Sequence, residues 1–257
     1  MFRQVSVVAA SVRARNRLVS AGGTSPRDFA HPGGFPVEVI APPPSAFLLI
    51  HEKRILSKGP CADHREDGGM RMSGGRARGI SLVTPKGDLT RPATDGMRQA
   101  VFSSLGPRVV GAQFLDLFAG SGAYGLEALS RGAAGGTFVE FNAKAVACIR
   151  QNILAVCKSM GVPPTLLEVL PADARQVPLG KTLTPDLVFI DPPYEVISEI
   201  APGLFARLLE KLIAKPDALV VFELPGELAL QPEGWTLLKR LGKGARQPTA
   251  AFFMRTS

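Results

Sequence analysis

The sequence predicts an α/β fold built on a mostly parallel, doubly wound sheet that finishes in an antiparallel strand pair. Three observations predict it. From Met70 onward, short apolar runs alternate with longer amphipathic ones, the pattern of parallel strands joined by helical crossovers. The run ending in "DLFAGSGAYG" (116–125) passes from a strand through glycines into a helix, which places a ligand-binding turn at a strand's carboxyl end. The last two apolar runs, 234–242 and 249–255, read as a terminal strand pair.

Each element has its own reason. "GISLVTP" (79–85) is a short strand stopped by proline, which cannot donate to a ladder. "TDGMRQAVFSSL" (94–105) is a helix with Thr94 available as N-cap and Gly96 weakening its first turn. Residues 112–120 form a buried strand, and 122–132 a helix closed by Gly132. A strand at 136–141 is followed by a helix over 142–161, capped by Asn142, in which Val146, Ile149, Ile153 and Val156 recur at helical spacing. Strands lie within 164–173, 186–191 and 218–224, and the stretch 195–215 is mostly helix, starting after Pro202.

Bulk properties narrow the function. The chain has 257 residues and is 46% hydrophobic, enough for one sizeable domain with a buried core. No apolar run reaches the ~18 residues that span a bilayer. Cys61, Cys148 and Cys157 have neither metal-ligand nor disulfide-framework spacing, which fits a reducing compartment and a cytoplasmic protein. All three histidines precede residue 70, so the later domain has no histidine metal ligand and is expected to work without imidazole. Charge is segregated: the net is +5 over 71–108, −5 over 109–236 and +5 over 237–257. Two basic flanks around an acidic middle read either as ordinary solvated surface or as a polyanion-binding rim.

Residues 1–69 differ from the rest. They are rich in proline and glycine, without sustained periodicity, and are expected to be disordered. The first 27 residues hold no acid, a superficial likeness to an organellar transit peptide. The main domain is expected to span 70–257, with a basic amino-terminal arm at 70–108.

Chemistry concentrates at the strand ends. Gly120, Gly122 and Gly125 satisfy G-x-G-x-x-G between strand and helix, where backbone N–H groups meet a ligand. Glu140 ends the next strand, 20 residues after Gly120, where a carboxylate accepts from ribose hydroxyls. Asp173 is placed to accept from an adenine amino group, or else forms a turn. These features leave NAD and S-adenosylmethionine both open. "FIDPPYE" (189–195) decides between them. Its prolines end the strand and hold Asp191 and Tyr194 on a stiff turn. An exocyclic amine is a poor nucleophile because its lone pair is delocalised into the ring. Accepting its two N–H groups at the Asp191 carboxylate and the Pro192 carbonyl favours sp³ character and aims the lone pair at a methyl donor. Tyr194 stacks on the base, worth about 1–3 kcal/mol. Catalysis is then positioning and electrostatics, with Asp191, Pro192, Pro193 and Tyr194 as the catalytic wall. A DNA amino-methyltransferase, a nucleotide-binding module without catalysis and, more distantly, a dehydrogenase stand as alternatives.

In this order, "MRMSGGRARGISLVTPKGDLTRPATDGMRQAVFSSL", "FLDLFAGSGAYGLEALSRGA", "VE" and "IDPPY" resemble the bacterial 16S rRNA (guanine(966)-N2)-methyltransferase family (RsmD type). The narrowest signals are Gly74, Gly75, Arg78 and Gly79, and Arg91, Pro92, Thr94 and Asp95. The resemblance implies a Rossmann-like class I methyltransferase fold with S-adenosyl-L-methionine as cofactor. It further implies that Asp116, Ala119, Gly120 and Gly122 hold the methionine part, Glu140 the ribose and Asp173 the adenine. Arg91 and Thr94 would close over the cofactor or contact RNA. The implied partner is 16S rRNA or the small ribosomal subunit, with no membrane and no metal, and the enzyme is expected to be a monomer. Arg76, Arg78, Lys86, Arg98, Lys239, Arg240, Lys243 and Arg246 are expected to contact RNA phosphates, fixing register. Gly96, Gln99 and Leu241 depart from the family pattern. Met70 falls where family members begin, so residues 1–69 are expected to be a dispensable leader or an over-called start.

Overall fold

The computed structural model describes residues 61–62, 69–85, 93–177, 184–242, 244 and 247–256. Apart from 61–62 and Gly69, the expected leader lies outside the described residues. So do Lys86, Arg91, Lys243, Arg246 and the side chain of Thr94.

The elements in chain order are β1 (Cys61–Ala62), β2 (Thr84–Pro85), α1 (Ala93–Leu105), β3 (Gln113–Leu117), α2 (Ala123–Ser130), β4 (Gly135–Glu140) and α3 (Ala143–Met160). There follow β5 (Leu167–Pro171), β6 (Leu187–Ile190), α4 (Ile197–Lys211), β7 (Leu219–Pro225), β8 (Trp235–Leu241) and β9 (Pro248–Arg255). Seven strands form one sheet in the order β5-β4-β3-β6-β7-β9-β8. Its first five strands are parallel, and β9 runs antiparallel to β7 and to β8. The terminal pair is therefore antiparallel, as expected.

Strand alternation sorts the core into two faces. Phe114, Phe189, Val221 and Phe252 pack under α1, α2 and α3. Leu115, Leu117, Val188, Ile190, Val220 and Phe222 face α4, where Phe205 packs edge-on against Trp235 and Phe253. Capping of α3 follows the sequence: Lys144 N and Ala145 N donate to the Asn142 side chain, and Gly161 closes the helix in the left-handed region.

Four expectations need correction. The strand expected at 79–85 shrinks to Thr84–Pro85, which pairs with β1 outside the main sheet. Residues 70–82 instead fold back on themselves, with Met72 N donating to Ile80 O and Leu82 N to Met70 O. The helix α1 begins at Ala93, so Thr94 lies inside its first turn rather than before it. The helix α4 begins at Ile197 and carries Pro202 in its interior. Pro202 is exposed, as is Ser198 one turn earlier, so water can serve the carbonyl that proline leaves without its donor. The buried stripe Ile197, Ile200, Ala201, Leu204, Phe205 and Leu208 outweighs the break. Finally, Cys157 is a free buried thiol but Cys148 is disulfide-bonded. A disulfide needs spatial rather than sequential proximity, so spacing did not announce it.

Candidate active site at the strand ends

Strand order reverses between β3 and β6, and open α/β sheets bind ligands at that switch point, beyond the carboxyl ends. Two adjoining cavities of about 400 and 200 Å³ lie there. Met70, Phe118, Gly120 and Asp191 line both.

The loop after β3 is shaped by its backbone. Phe118 has φ 59° and is the one non-glycine residue with positive φ among the described residues. A bulky side chain in that region is strained, and such strain gathers at functional sites. Gly120 follows with φ 54°, and a Cβ there would meet open space. That open space is part of the crevice, since Gly120 lines both cavities. Gly125 has the opposite role: a Cβ would come within 2.4 Å of Phe114 and Phe138, so this glycine lets α2 lie close on the sheet. Glu140 ties the loop to the neighbouring strand end, its Oε2 accepting from Gly120 N at 2.9 Å and its Oε1 from Asn142 N at 2.8 Å.

Beneath the loop lies Asp116, buried in β3, with Gly125 N donating to its Oδ2 at 2.9 Å. Burial pushes its carboxyl up to about 8, against the lowering effect of the Gly125 bond and with a further push from the Glu140 charge. Across the crevice, Asp191, Pro192, Pro193 and Tyr194 line the larger cavity together with Glu140, Phe141, Ala172, Ala174 and Glu223. Phe141, among them, is 73% exposed.

The structure gathers Asp116, Ala119, Gly120, Glu140 and the Asp191–Tyr194 wall around one crevice. Other expected residues stand elsewhere. Asp173 lies two residues beyond the end of β5 and outside the cavity linings. Arg175 Nε and Nη2 donate to its carboxylate at 2.9 and 2.7 Å, and Arg175 N closes an Asx turn on it. Those hydrogen bonds hold its carboxyl below the usual carboxylate range. Arg98, expected on the RNA-binding rim, is buried and lines the smaller cavity. Its Nη2 donates to Asp95 Oδ1 at 2.8 Å and to Arg71 O at 2.6 Å. Arg76 Nη2 donates to Met160 O at the end of α3, and Arg240 to Thr249 Oγ1 and Pro225 O, so both are tied into the fold. Arg76, Arg78 and Lys239 are exposed, and Lys239 Nζ also donates to Ser104 O at 3.3 Å and lies 4.7 Å from the centre of the Phe252 ring.

Two residues at the crevice escaped the sequence reading. Tyr124, on α2, donates its hydroxyl to Glu223 Oε2 at 2.7 Å and stacks on Phe189 with centroids 5.4 Å apart. Glu223 is an acid inside the apolar run "ALVVFELP", a signal visible in retrospect, since an acid buried in a central strand needs a purpose.

A reversal point with a strained glycine loop on one side and a rigid Asp-Pro-Pro-Tyr turn on the other is the architecture of Rossmann-like S-adenosylmethionine-dependent methyltransferases. The residues present fit that cofactor: open space at Gly120, a ribose-height carboxylate at Glu140, and a buried acid at Asp116 that a cation would ionise. The solved structure of HI0767 from Haemophilus influenzae matches 73% of this chain and 99% of its own, with a TM-score of 0.57 and 28% identity. The family is narrower. Residues 70–251 match the model of the family described as Conserved hypothetical protein 95, and the chain belongs to that family, the RsmD family. The ribosomal RNA small subunit methyltransferase D of Escherichia coli strain K12 is 39% identical over 132 residues, 51% of this chain, and the match spans 64% of that relative's length. The Haemophilus influenzae protein of the same name is 32% identical over 178 residues, covering 69% of this chain and 90% of the relative.

Proposed function

We propose that the protein transfers a methyl group from S-adenosylmethionine to the exocyclic N2 amine of a guanine in 16S rRNA of the small ribosomal subunit. The observation that carries this reading is the shared crevice: the Asp191–Tyr194 wall lines the same cavity as Gly120 and Glu140, so base and cofactor meet. The names of the family relatives support the rRNA substrate.

The cofactor, when bound, supplies a methyl on a sulfonium that needs no further activation. The chain's residues do the rest. Gly120 and Ala119 bring backbone close to the methionine part. Glu140 retains lone pairs for ribose hydroxyls, and Phe141 offers a face to the adenine. Asp173 serves the adenine amine once it gives up part of its Arg175 fork. Asp116 stands where a positive charge would draw off its proton. Asp191 and the Pro192 carbonyl accept the two N–H groups of the target amine, Tyr194 stacks on the base, and Pro193 keeps the turn rigid. Exposed Arg78 and Lys239 meet phosphates, which positions the RNA without reading it. A base in folded RNA must be unstacked to reach Asp191, at a cost of a few kcal/mol, and these contacts offset that cost. Residues 70–257 act as the methyltransferase domain, and 1–69 are dispensable.

The test is methyl transfer from labelled S-adenosylmethionine to small subunits lacking the modification, with duplex DNA in parallel and the product digested to nucleosides. The expected product is N2-methylguanosine from the subunit. Label in DNA would keep the chemistry and overturn the substrate. Activity of the full chain but not of residues 70–257 would overturn the dispensability of the leader.

A further inference from the structure

The Asp-Pro-Pro-Tyr wall holds an exocyclic amine but does not choose among bases. Guanine, adenine and cytosine all carry an amine with two N–H groups and a face to stack on. They differ at the ring nitrogen beside that amine: N1 of guanine bears a hydrogen, whereas N1 of adenine and N3 of cytosine are acceptors. A site selective for guanine therefore needs a second acceptor next to the one that takes the amine.

The sheet supplies one. Asp116, Phe189 and Val221 are register partners across β3, β6 and β7, and Ile190 pairs with Phe222. Two residues on from Phe189 and Val221, on the same face, come Asp191 and Glu223. The two carboxylates thus sit side by side at adjacent strand ends, and both line the larger cavity. Glu223 is only 4% exposed, and Tyr124 fixes its orientation through the 2.7 Å hydrogen bond to Oε2. The Tyr124 ring is held in turn by stacking on Phe189 and by Phe102, 6.3 Å away. Burial and the charges of Glu223 and Asp191 push the Tyr124 hydroxyl well above its ordinary range, so it remains a donor at any working pH.

We propose that Glu223, oriented by Tyr124, accepts the N1–H of the target guanine beside Asp191 and so sets the base specificity of the site. This rests on the guanine-N2 reading above. Against adenine or cytosine, the Glu223 carboxylate would face a ring lone pair, setting acceptor against acceptor with no hydrogen between them. Glu223 is then the specificity residue, and Tyr124 is a positioning residue that acts through it.

The experiment uses small subunits reconstituted with ligated 16S rRNA carrying either guanine or 2,6-diaminopurine at the methylated position. Diaminopurine keeps the 2-amine but turns N1 into an acceptor. The wild-type full chain is expected to favour guanine in kcat/KM by about tenfold to hundredfold, the range for one charged hydrogen bond. Glu223→Gln, whose amide can donate to an unprotonated N1, is expected to shrink that preference about tenfold or more. Tyr124→Phe is expected to shrink it partway. S-adenosylmethionine binding and thermal unfolding report whether each variant is folded. A wild type that uses both bases equally would overturn the proposal without any variant, as would a Gln variant that keeps the full preference. If the wild type forms no N2-methylguanosine on the guanine subunit, the guanine reading itself fails and this inference falls with it.

Discussion

Asp116 and Glu127 are both buried carboxylates of the β3–α2 unit, 2% and 0% exposed, yet their surroundings are opposite. Glu127 is saturated. Ser73 N and Ser73 Oγ donate to it at 2.8 Å each, Arg131 Nε at 2.8 Å, and Arg98 Nε stands 3.6 Å away. Asp116, among the described residues, has Gly125 N as its donor and the like charge of Glu140 nearby. The saturated acid clamps the arm at 70–85 onto α1 and α2. The under-satisfied one sits on the floor of the crevice. A closed network holds structure, and an open one leaves capacity for a ligand.

The strongest way to break this contrast is Glu127→Ala. It strands Arg98, whose side chain is 2% exposed, as a buried charge left, among the described residues, with Asp95 and the Arg71 carbonyl at its other edge. Removing one partner of a buried pair costs about 3–5 kcal/mol. Denaturation should show a loss of that size, and proteolysis should begin in the 70–85 arm. Unchanged stability would mean that the arm is held by packing alone.

Asp116 responds to pH instead. Its folded pKa of about 8 lies above the ordinary value of 3.8, so the folded state keeps a proton that the unfolded chain has released. Its contribution is complete below the unfolded value and is lost as pH rises toward the folded one, at about 1.4 kcal/mol per pH unit. Chemical denaturation of wild type between about pH 5 and pH 8 should show stability falling with that slope. Asp116→Asn should flatten it. Parallel slopes in the two proteins would place the titration elsewhere.

Asp191→Ala separates chemistry from structure within the crevice. Loss of a group that meets the reacting amine should lower turnover about 10²- to 10³-fold. S-adenosylmethionine affinity and melting temperature should barely move. A matching loss of cofactor affinity would place Asp191 with the cofactor rather than with the base.

What could be read in advance was whatever depends on near neighbours in sequence. The Asn142 cap, the strand ends at Glu140 and Asp191, and the glycine loop all rest on spacings of a few residues. Arg98 could not be read that way. On a basic, amphipathic segment it resembles any surface arginine, and its burial is decided by Glu127, Asp95 and the Arg71 carbonyl meeting from three segments. Asp173 was ambiguous for the opposite reason: its partner Arg175 is two residues away, and the local turn claims the carboxylate. Pro202 marked a plausible helix start, but the apolar stripe beginning at Ile197 was the stronger signal.

The arm's glycines give the finest test of the contrast, because the molecule carries its own control. Gly75 and Gly79 both have positive φ, 73° and 86°, a region that costs an L-residue about 1–2 kcal/mol. At Gly79 an added Cβ would meet nothing within 4 Å, whereas at Gly75 it would lie 2.1 Å from Ser130 O. That carbonyl accepts from Arg76 N, and Ser130 Oγ donates to Gly74 O while accepting from Ala77 N, so neither side can yield cheaply. Gly79→Ala should therefore lose about 1–2 kcal/mol from conformation alone, and Gly75→Ala should lose more, with the arm lifted from the end of α2. The difference between the two midpoints isolates the close approach from the backbone strain. Equal losses would show that the arm can shift at Ser130, and that Glu127 alone sets its position.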